Sequence, residues 1–110
     1  LYYGGRKPED GRIFWDRPAI EIYNLIRGVT RPYPGAFSYL MAEKVMFWLS
    51  AIDISKSIEP GLILLLENDT PLIGTTEGCI IPKEIEVQGK ILEGKDINDF
   101  FKKHRGEYFI

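Results

Sequence analysis

Thiols and imidazoles are nearly missing from this chain of 110 residues, which has one cysteine and one histidine. A single Cys79 permits no internal disulfide and no multi-cysteine zinc site. No charged segment followed by an apolar stretch marks an export signal, so Cys79 reads as a small buried hydrophobe in a reducing cytoplasm. The longest aliphatic run, Leu62-Ile63-Leu64-Leu65-Leu66, is far short of the roughly 20 residues that a spanning helix needs, so no membrane association is expected. There is no Gly-x-x-x-x-Gly-Lys phosphate loop and no Gly-x-Gly-x-x-Gly fingerprint. His104, with Lys103 and Arg105 beside it, reads as the close of a helix rather than as a catalytic base.

Positive charge is also scarce where a nucleic-acid binder needs it. Net charge is −2 and unevenly spread. Residues 1–35 carry six Lys/Arg against four Asp/Glu, while residues 36–110 carry eight against twelve. The body of the protein is therefore acidic, and its bulk field does not favour a phosphate backbone. Apolar residues at 45% and charged residues at 27% are an ordinary balance for one globular domain. The first residue is Leu1, which points to a piece of a longer polypeptide.

What the chain does have is concentrated early. Tyr2-Tyr3-Gly4-Gly5-Arg6-Lys7-Pro8-Glu9-Asp10-Gly11-Arg12-Ile13-Phe14-Trp15 mixes turn-formers, both charge signs and aromatics, and reads as an extended linker over residues 1–15 with a turn at Pro8-Glu9-Asp10-Gly11. The domain proper is expected over 16–110. Asp16 is an N-cap candidate, and Ile22, Leu25, Ile26 and Val29 then recur at helical spacing, predicting a helix over 17–28. Pro32 and Pro34 end it.

Beyond Gly35 the texture becomes β-like. Strands are expected over 36–40, 44–54, 61–67, 71–75, 79–81 and 83–90, with Met41-Ala42-Glu43, Asn68-Asp69-Thr70 and Thr76-Glu77-Gly78 as turns and Pro82 as a bend. A final helix is expected from Asp96, with Ile97, Phe100, Phe101 and His104 on one side, Lys102, Lys103 and Arg105 at its end, and Gly106 as its stop. Six short strands that do not alternate with helices predict a mainly β fold with flanking helices, an open six-stranded Greek-key barrel resembling an oligonucleotide-binding fold.

Few residues invite chemistry. Glu84 and Glu86 share one strand face, and Glu9 and Asp10 adjoin in a turn; both pairs read as solvated surface rather than as a metal site. In the opening segment, Arg6 can make paired contacts to phosphate or carboxylate and Tyr2 and Tyr3 offer stacking faces. Gly4 and Gly5 permit close backbone approach. The same residues can instead form a strap in which Arg6 pairs with Glu9 or Asp10.

The 6–15 string resembles the Pro-Glu-Asp-Gly-x-Ile-Asp-Trp segment that leads into the C-terminal domain of the 10-formyltetrahydrofolate-dependent formyltransferases, with Phe14 where that family usually has Asp. Ala19 to Arg27 resembles the family's next helix, and Arg31-Pro32-Tyr33-Pro34-Gly35-Ala36-Phe37 its Pro-aromatic-Pro-Gly-Ala-aromatic element. Thr75-Thr76-Glu77-Gly78-Cys79 resembles its Thr-Gly-Asp/Glu-Gly turn, and Glu86-Val87-Gln88-Gly89-Lys90 with the following helix its closing elements.

The resemblance implies a barrel joined to an N-terminal Rossmann-like catalytic domain whose Asn, His and Asp have no counterpart in this chain. It implies a non-catalytic, substrate-positioning role, with no cofactor bound by this piece and 10-formyltetrahydrofolate used by the parent enzyme. Tyr3, Arg6 and Lys7 become candidate substrate contacts, and Pro8, Glu9, Asp10, Gly11 and Trp15 candidate linker or interface residues. The acidic barrel and the opening segment favour the branch acting on nucleotide-linked amino sugars. Methionyl-tRNA formyltransferase, whose barrel helps to hold tRNA, is the alternative, and a free-standing binding or scaffolding barrel a further one.

Overall fold

In a computed structural model, residues 8–110 are described. They form a 3-10 turn (Pro8–Gly11), helix α1 (Ala19–Val29), strands β1 (Ala36–Leu40), β2 (Glu43–Asp53), β3 (Ile63–Leu65), β4 (Pro71–Gly74), β5 (Cys79–Val87) and β6 (Lys90–Glu93), and helix α2 (Lys95–Lys102). The strands make one curled antiparallel sheet in the order β1-β2-β5-β4-β3, with β6 also paired to β5. The mainly β, six-stranded half-barrel with two helices is thus the expected architecture. No helix of the described residues is long and apolar enough to cross a membrane.

Two tight hairpins set the strand boundaries. Leu40 pairs with Glu43 around Met41 and Ala42, whose φ values are 51° and 68°. Val87 pairs with Lys90 around Gln88 and Gly89, at 53° and 78°. Positive φ at both central residues gives a turn whose twist matches that of the flanking strands. The second hairpin corrects the expected 83–90 strand, because the chain reverses at Gln88-Gly89 and Lys90 opens β6.

Pro82 does not divide two strands but lies within β5. It falls where the outer edge of β5 changes partner, between β4 pairing at 79–80 and β6 pairing at 84–87. Its ladder with β2 is also irregular nearby, between Phe47 and Ser50. A residue without an N–H is tolerated at such a break.

The helices begin elsewhere than expected. Asp16 is exposed and does not cap α1; the cap position is Pro18, with no side-chain hydrogen bond. The first helical N–H, that of Ala19, is instead accepted by the Glu77 carbonyl at 2.9 Å, and the Thr76 N–H is accepted by the Arg17 carbonyl at 3.2 Å. Thr75 holds this turn: its hydroxyl is shared between the carbonyls of Glu77 and Gly78 and accepts the Glu77 N–H. A helix end so satisfied needs no local cap. Helix α2 starts at Lys95 after Gly94, so Asp96 sits inside the first turn and Asp99 pairs with Lys95.

The sheet closes through a segment that sequence periodicity did not mark. Residues 107–110 run between the two edge strands. On the β3 side, the Ile63 N–H donates to Glu107 O and the Phe109 N–H to Gly61 O. On the β1 side, the Ile110 N–H donates to Tyr39 O at 3.0 Å. Phe109 points inward and is buried, whereas Tyr108 and Ile110 are exposed. The Tyr108 hydroxyl donates to Glu59, which holds its ionisation above the usual phenol range.

The core lies between the sheet and both helices. Four aromatic rings form its centre: Trp15 and Phe47 are 5.8 Å apart, Trp15 and Phe109 5.5 Å, Phe47 and Phe109 5.5 Å, and Phe101 and Phe109 6.2 Å. Edge-on and tilted pairs of this kind add to what their buried area contributes. Ile22, Ile26 and Val29 of α1 and Ile97 and Phe101 of α2 complete it.

Candidate functional site

The expected site residues fall into three groups. Tyr3, Arg6 and Lys7 lie outside the described residues. Pro8, Glu9, Asp10 and Gly11 form the 3-10 turn, with Glu9 and Asp10 exposed. Gly11 is buried, and a Cβ there would stand 2.1 Å from the Gly35 carbonyl oxygen, so this pair of glycines permits the turn to lie against the β1 approach.

Trp15, expected at the end of the linker, has its side chain in the barrel core. It is buried, and its indole N–H donates to the Ser38 hydroxyl at 2.9 Å, which in turn donates to the Ile110 carbonyl at 2.7 Å. Ile13 is fully buried, and its N–H donates to Phe37 O. The described end of the expected linker therefore packs as part of the barrel, because its alternating apolar residues have a core to enter.

The most distinctive surface is the outer face of β1, β2 and β5. Phe37 lies opposite Met46 and Tyr39 opposite Lys44, and Met46 lies opposite Glu86. Side chains directly opposite across antiparallel strands share a face. Three cations cover the aromatics of this face. Lys44 Nζ lies 4.4 Å from the Phe37 ring centre, and the Arg31 guanidinium 4.9 Å from that of Trp48. Arg12 lies 5.0 Å from Tyr39 and 5.7 Å from Phe14.

The two carboxylates read as plain surface are engaged there. Glu84 pairs with Arg31, and Glu86 accepts the Trp48 indole N–H at 3.0 Å. The pairing of Arg31 neutralises the cation that would otherwise offer itself to a ligand. By contrast, Arg12 Nε is enclosed and has no hydrogen-bond acceptor among the described residues. Period-2 alternation in Lys44, Met46 and Trp48 was the available signal for this face; the partners Arg12 and Arg31 lie too far off in sequence for periodicity to reveal.

Acid–base residues are committed elsewhere. His104 Nδ1 is 2.8 Å from Glu107 Oε1, and its ring packs 4.8 Å from that of Phe100. Lys102 pairs with Asp69 at 2.9 Å, which raises its affinity for the proton. Cys79 is fully buried, and desolvation first, then the nearby Asp53 charge, push its thiol up to about 11, the behaviour of an inert core thiol. Among the described residues no group of three His, Cys, Asp or Glu is placed to hold a metal.

Two depressions border the outer face. An open groove of about 520 Å³ lies between the Met41-Ala42 and Gln88-Gly89 turns, floored by Met46 and Glu86. A smaller cleft of about 190 Å³ lies beside Phe14 and Arg12, walled by Arg17, Glu21, Ile22 and Leu25.

The sequence matches the family described as formyl transferase, C-terminal domain, over residues 6–105. Over 72 residues, 66% of the chain, it is 49% identical to the bifunctional polymyxin resistance protein ArnA of Wigglesworthia glossinidia brevipalpis, of which it covers 11%. Among solved structures, HypX from Aquifex aeolicus in complex with tetrahydrofolic acid superposes with a TM-score of 0.70 over 92% of this chain and 18% of HypX, at 19% identity. A multiply substituted HypX superposes at 0.67 with 22% identity, covering 93% of this chain and 19% of that one. The chain thus spans about a ninth of the curated relative and under a fifth of the structural ones.

Proposed function

This chain belongs to the formyl transferase C-terminal domain family, and from that premise we propose that it is the non-catalytic, substrate-positioning part of an enzyme that formylates the amine of a nucleotide-linked amino sugar. In the parent reaction the amine attacks the formyl carbon of 10-formyltetrahydrofolate, the new C–N bond forms, and the bond to N10 of the folate breaks. The proton lost by the amine goes to N10, leaving a formamide and tetrahydrofolate. We assign that chemistry, and the folate, to an N-terminal catalytic domain outside this chain, working in the cytoplasm. Residues 1–15 would connect the two, with Tyr3, Arg6 and Lys7 reaching the substrate's phosphates.

The observation that carries the choice of acceptor is the state of the outer face. An RNA-holding surface needs unpaired cations along a backbone track, yet Arg31 is already paired with Glu84, and Glu86 sits beside Trp48. The test is formyl transfer by the full-length parent, with radiolabelled formyl donor and either a nucleotide-linked amino sugar or methionyl-tRNA as acceptor. Label is expected in the sugar nucleotide; label in methionyl-tRNA alone would replace this reading with the tRNA one.

A further inference from the structure

One carboxylate of the outer face is left without a cation. Glu84 is paired with Arg31, but Glu86, which is partly buried, has no ion-pair partner among the described residues. The cations of this face are committed elsewhere: Arg31 to Glu84 and the Trp48 ring, Lys44 to the Phe37 ring, and Arg12 to Tyr39 and Phe14. The Trp48 indole N–H fixes one oxygen of Glu86, while the other has no donor among the described residues. A carboxylate that is partly desolvated, oriented and unpaired favours a cationic partner. Its flanks are apolar. Directly opposite Glu86 lie Met46 on β2 and Ile91 on β6, so the three share a face. Met46 and Glu86 floor the open groove of about 520 Å³, and Ile91 is 38% exposed on the other side of Glu86. Among the described strands β6 pairs only with β5, so the strip stays open beyond Ile91.

We infer that the Met46-Glu86-Ile91 strip binds an extended segment of a partner protein, one that carries an arginine between two apolar residues. Charge complementarity selects the cation: Glu86 is unpaired at the floor, and Glu43 adds a second carboxylate to the groove lining. A guanidinium, planar and weakly hydrated, suits a carboxylate set among apolar side chains better than an ammonium does. The shape of the site selects an extended segment over an enclosed small molecule. Met46 and Ile91 stand two strand spacings apart, about 10 Å, a distance that roughly three extended residues cover. The apolar residues on either side of the arginine then lie on Met46 and Ile91, and the thioether of Met46 adapts to either an aliphatic or an aromatic neighbour.

The test uses the full-length polypeptide and a fluorescein-labelled peptide, Gly-Ser-Leu-Arg-Leu-Ser-Gly, followed by fluorescence anisotropy. Binding is expected in the millimolar range or tighter. It should weaken roughly tenfold or more when citrulline, which keeps the shape of arginine without its charge, replaces the arginine, and equally in Glu86→Gln. Gln keeps an oxygen for the Trp48 N–H, so an unchanged melting curve is expected for that variant. Met46→Lys sets an ammonium opposite Glu86 and should abolish binding, whereas Glu67→Gln, at an exposed acid beyond β3, should not alter it. No binding of the arginine peptide, equal binding of the citrulline peptide, or equal weakening by Glu67→Gln would overturn the inference. Agmatine that displaces the labelled peptide as well as the unlabelled peptide does would overturn it in favour of a small amine. A dimer of the polypeptide that Glu86→Gln dissociates would overturn it in favour of a second copy.

Discussion

Replacing Phe109 with Ala tests whether residues 107–110 close the barrel or merely lie on it. The Phe109 ring is 4% exposed and touches Trp15, Phe47 and Phe101. Truncating a buried Phe to Ala costs about 3–5 kcal/mol, through lost transfer energy and the cavity left behind. Small domains have a total stability of about 5–15 kcal/mol, so this one side chain accounts for a large share. With an unfolding entropy near 2.1 cal/mol/K per residue, a chain of this size should lose roughly 13–22 °C in melting temperature. Tyr108→Ala is the internal control, since Tyr108 is 44% exposed and its hydroxyl bonds to Glu59 at the surface; it should cost about 1 kcal/mol or less. Urea denaturation followed by tryptophan fluorescence reads both, because Trp15 abuts Phe109. A loss below about 1 kcal/mol for Phe109→Ala, or equal losses for the two variants, would refute the closing role.

Three further substitutions or titrations have defined outcomes. Gly28→Ala in α1 meets nothing within 4 Å and should stabilise by about 0.5–1 kcal/mol, whereas Gly11→Ala drives a Cβ to 2.1 Å from Gly35 O and should lower the melting temperature; a common sign for the two in thermal melts would be wrong. Ser38→Ala should cost about 1–3 kcal/mol, because the buried Trp15 N–H loses its acceptor, and a neutral result in the same denaturation assay would show the relay to be dispensable. Cys79 stays protonated in the fold up to about pH 11, while its unfolded thiol ionises near 9. The unfolded state therefore binds fewer protons between these values, and stability should fall as pH rises from about 9 to about 11, with no contribution from this group below that window. Cys79→Ala should flatten this part of the profile, read by denaturation at stepped pH.

Elements built from local pattern were legible in the sequence. The i, i+3, i+4, i+7 face of α1 could be read directly, and β1 was bounded correctly by Gly35 and the Met41-Ala42 reversal. The reversal at Gln88-Gly89 was missed because the polar alternation of Glu84, Glu86 and Gln88 runs smoothly through the turn. Pro82 misled for a tertiary reason: only the changing partners of β5 make room for a missing N–H. The cap of α1 was invisible for the same reason, since its acceptor is Glu77, about sixty residues on. Of the site, the paired faces of Glu84 and Glu86 were apparent, but their partners Arg31 and Trp48 required the fold. Trp15, read as a linker residue, is drawn inward by Ser38 and Phe109, neither of which is near it in sequence.

The outer edge of β1 receives both ends of the barrel. Ile13 hydrogen-bonds to Phe37 there, and Ile110 to Tyr39 two residues along. A module whose first and last packed residues share one strand edge can be spliced into a longer polypeptide as a side branch, leaving its neighbours almost as close as if it were absent. The same arrangement makes the two flanks neighbours: a segment entering at Ile13 and one leaving at Ile110 share one side of the barrel.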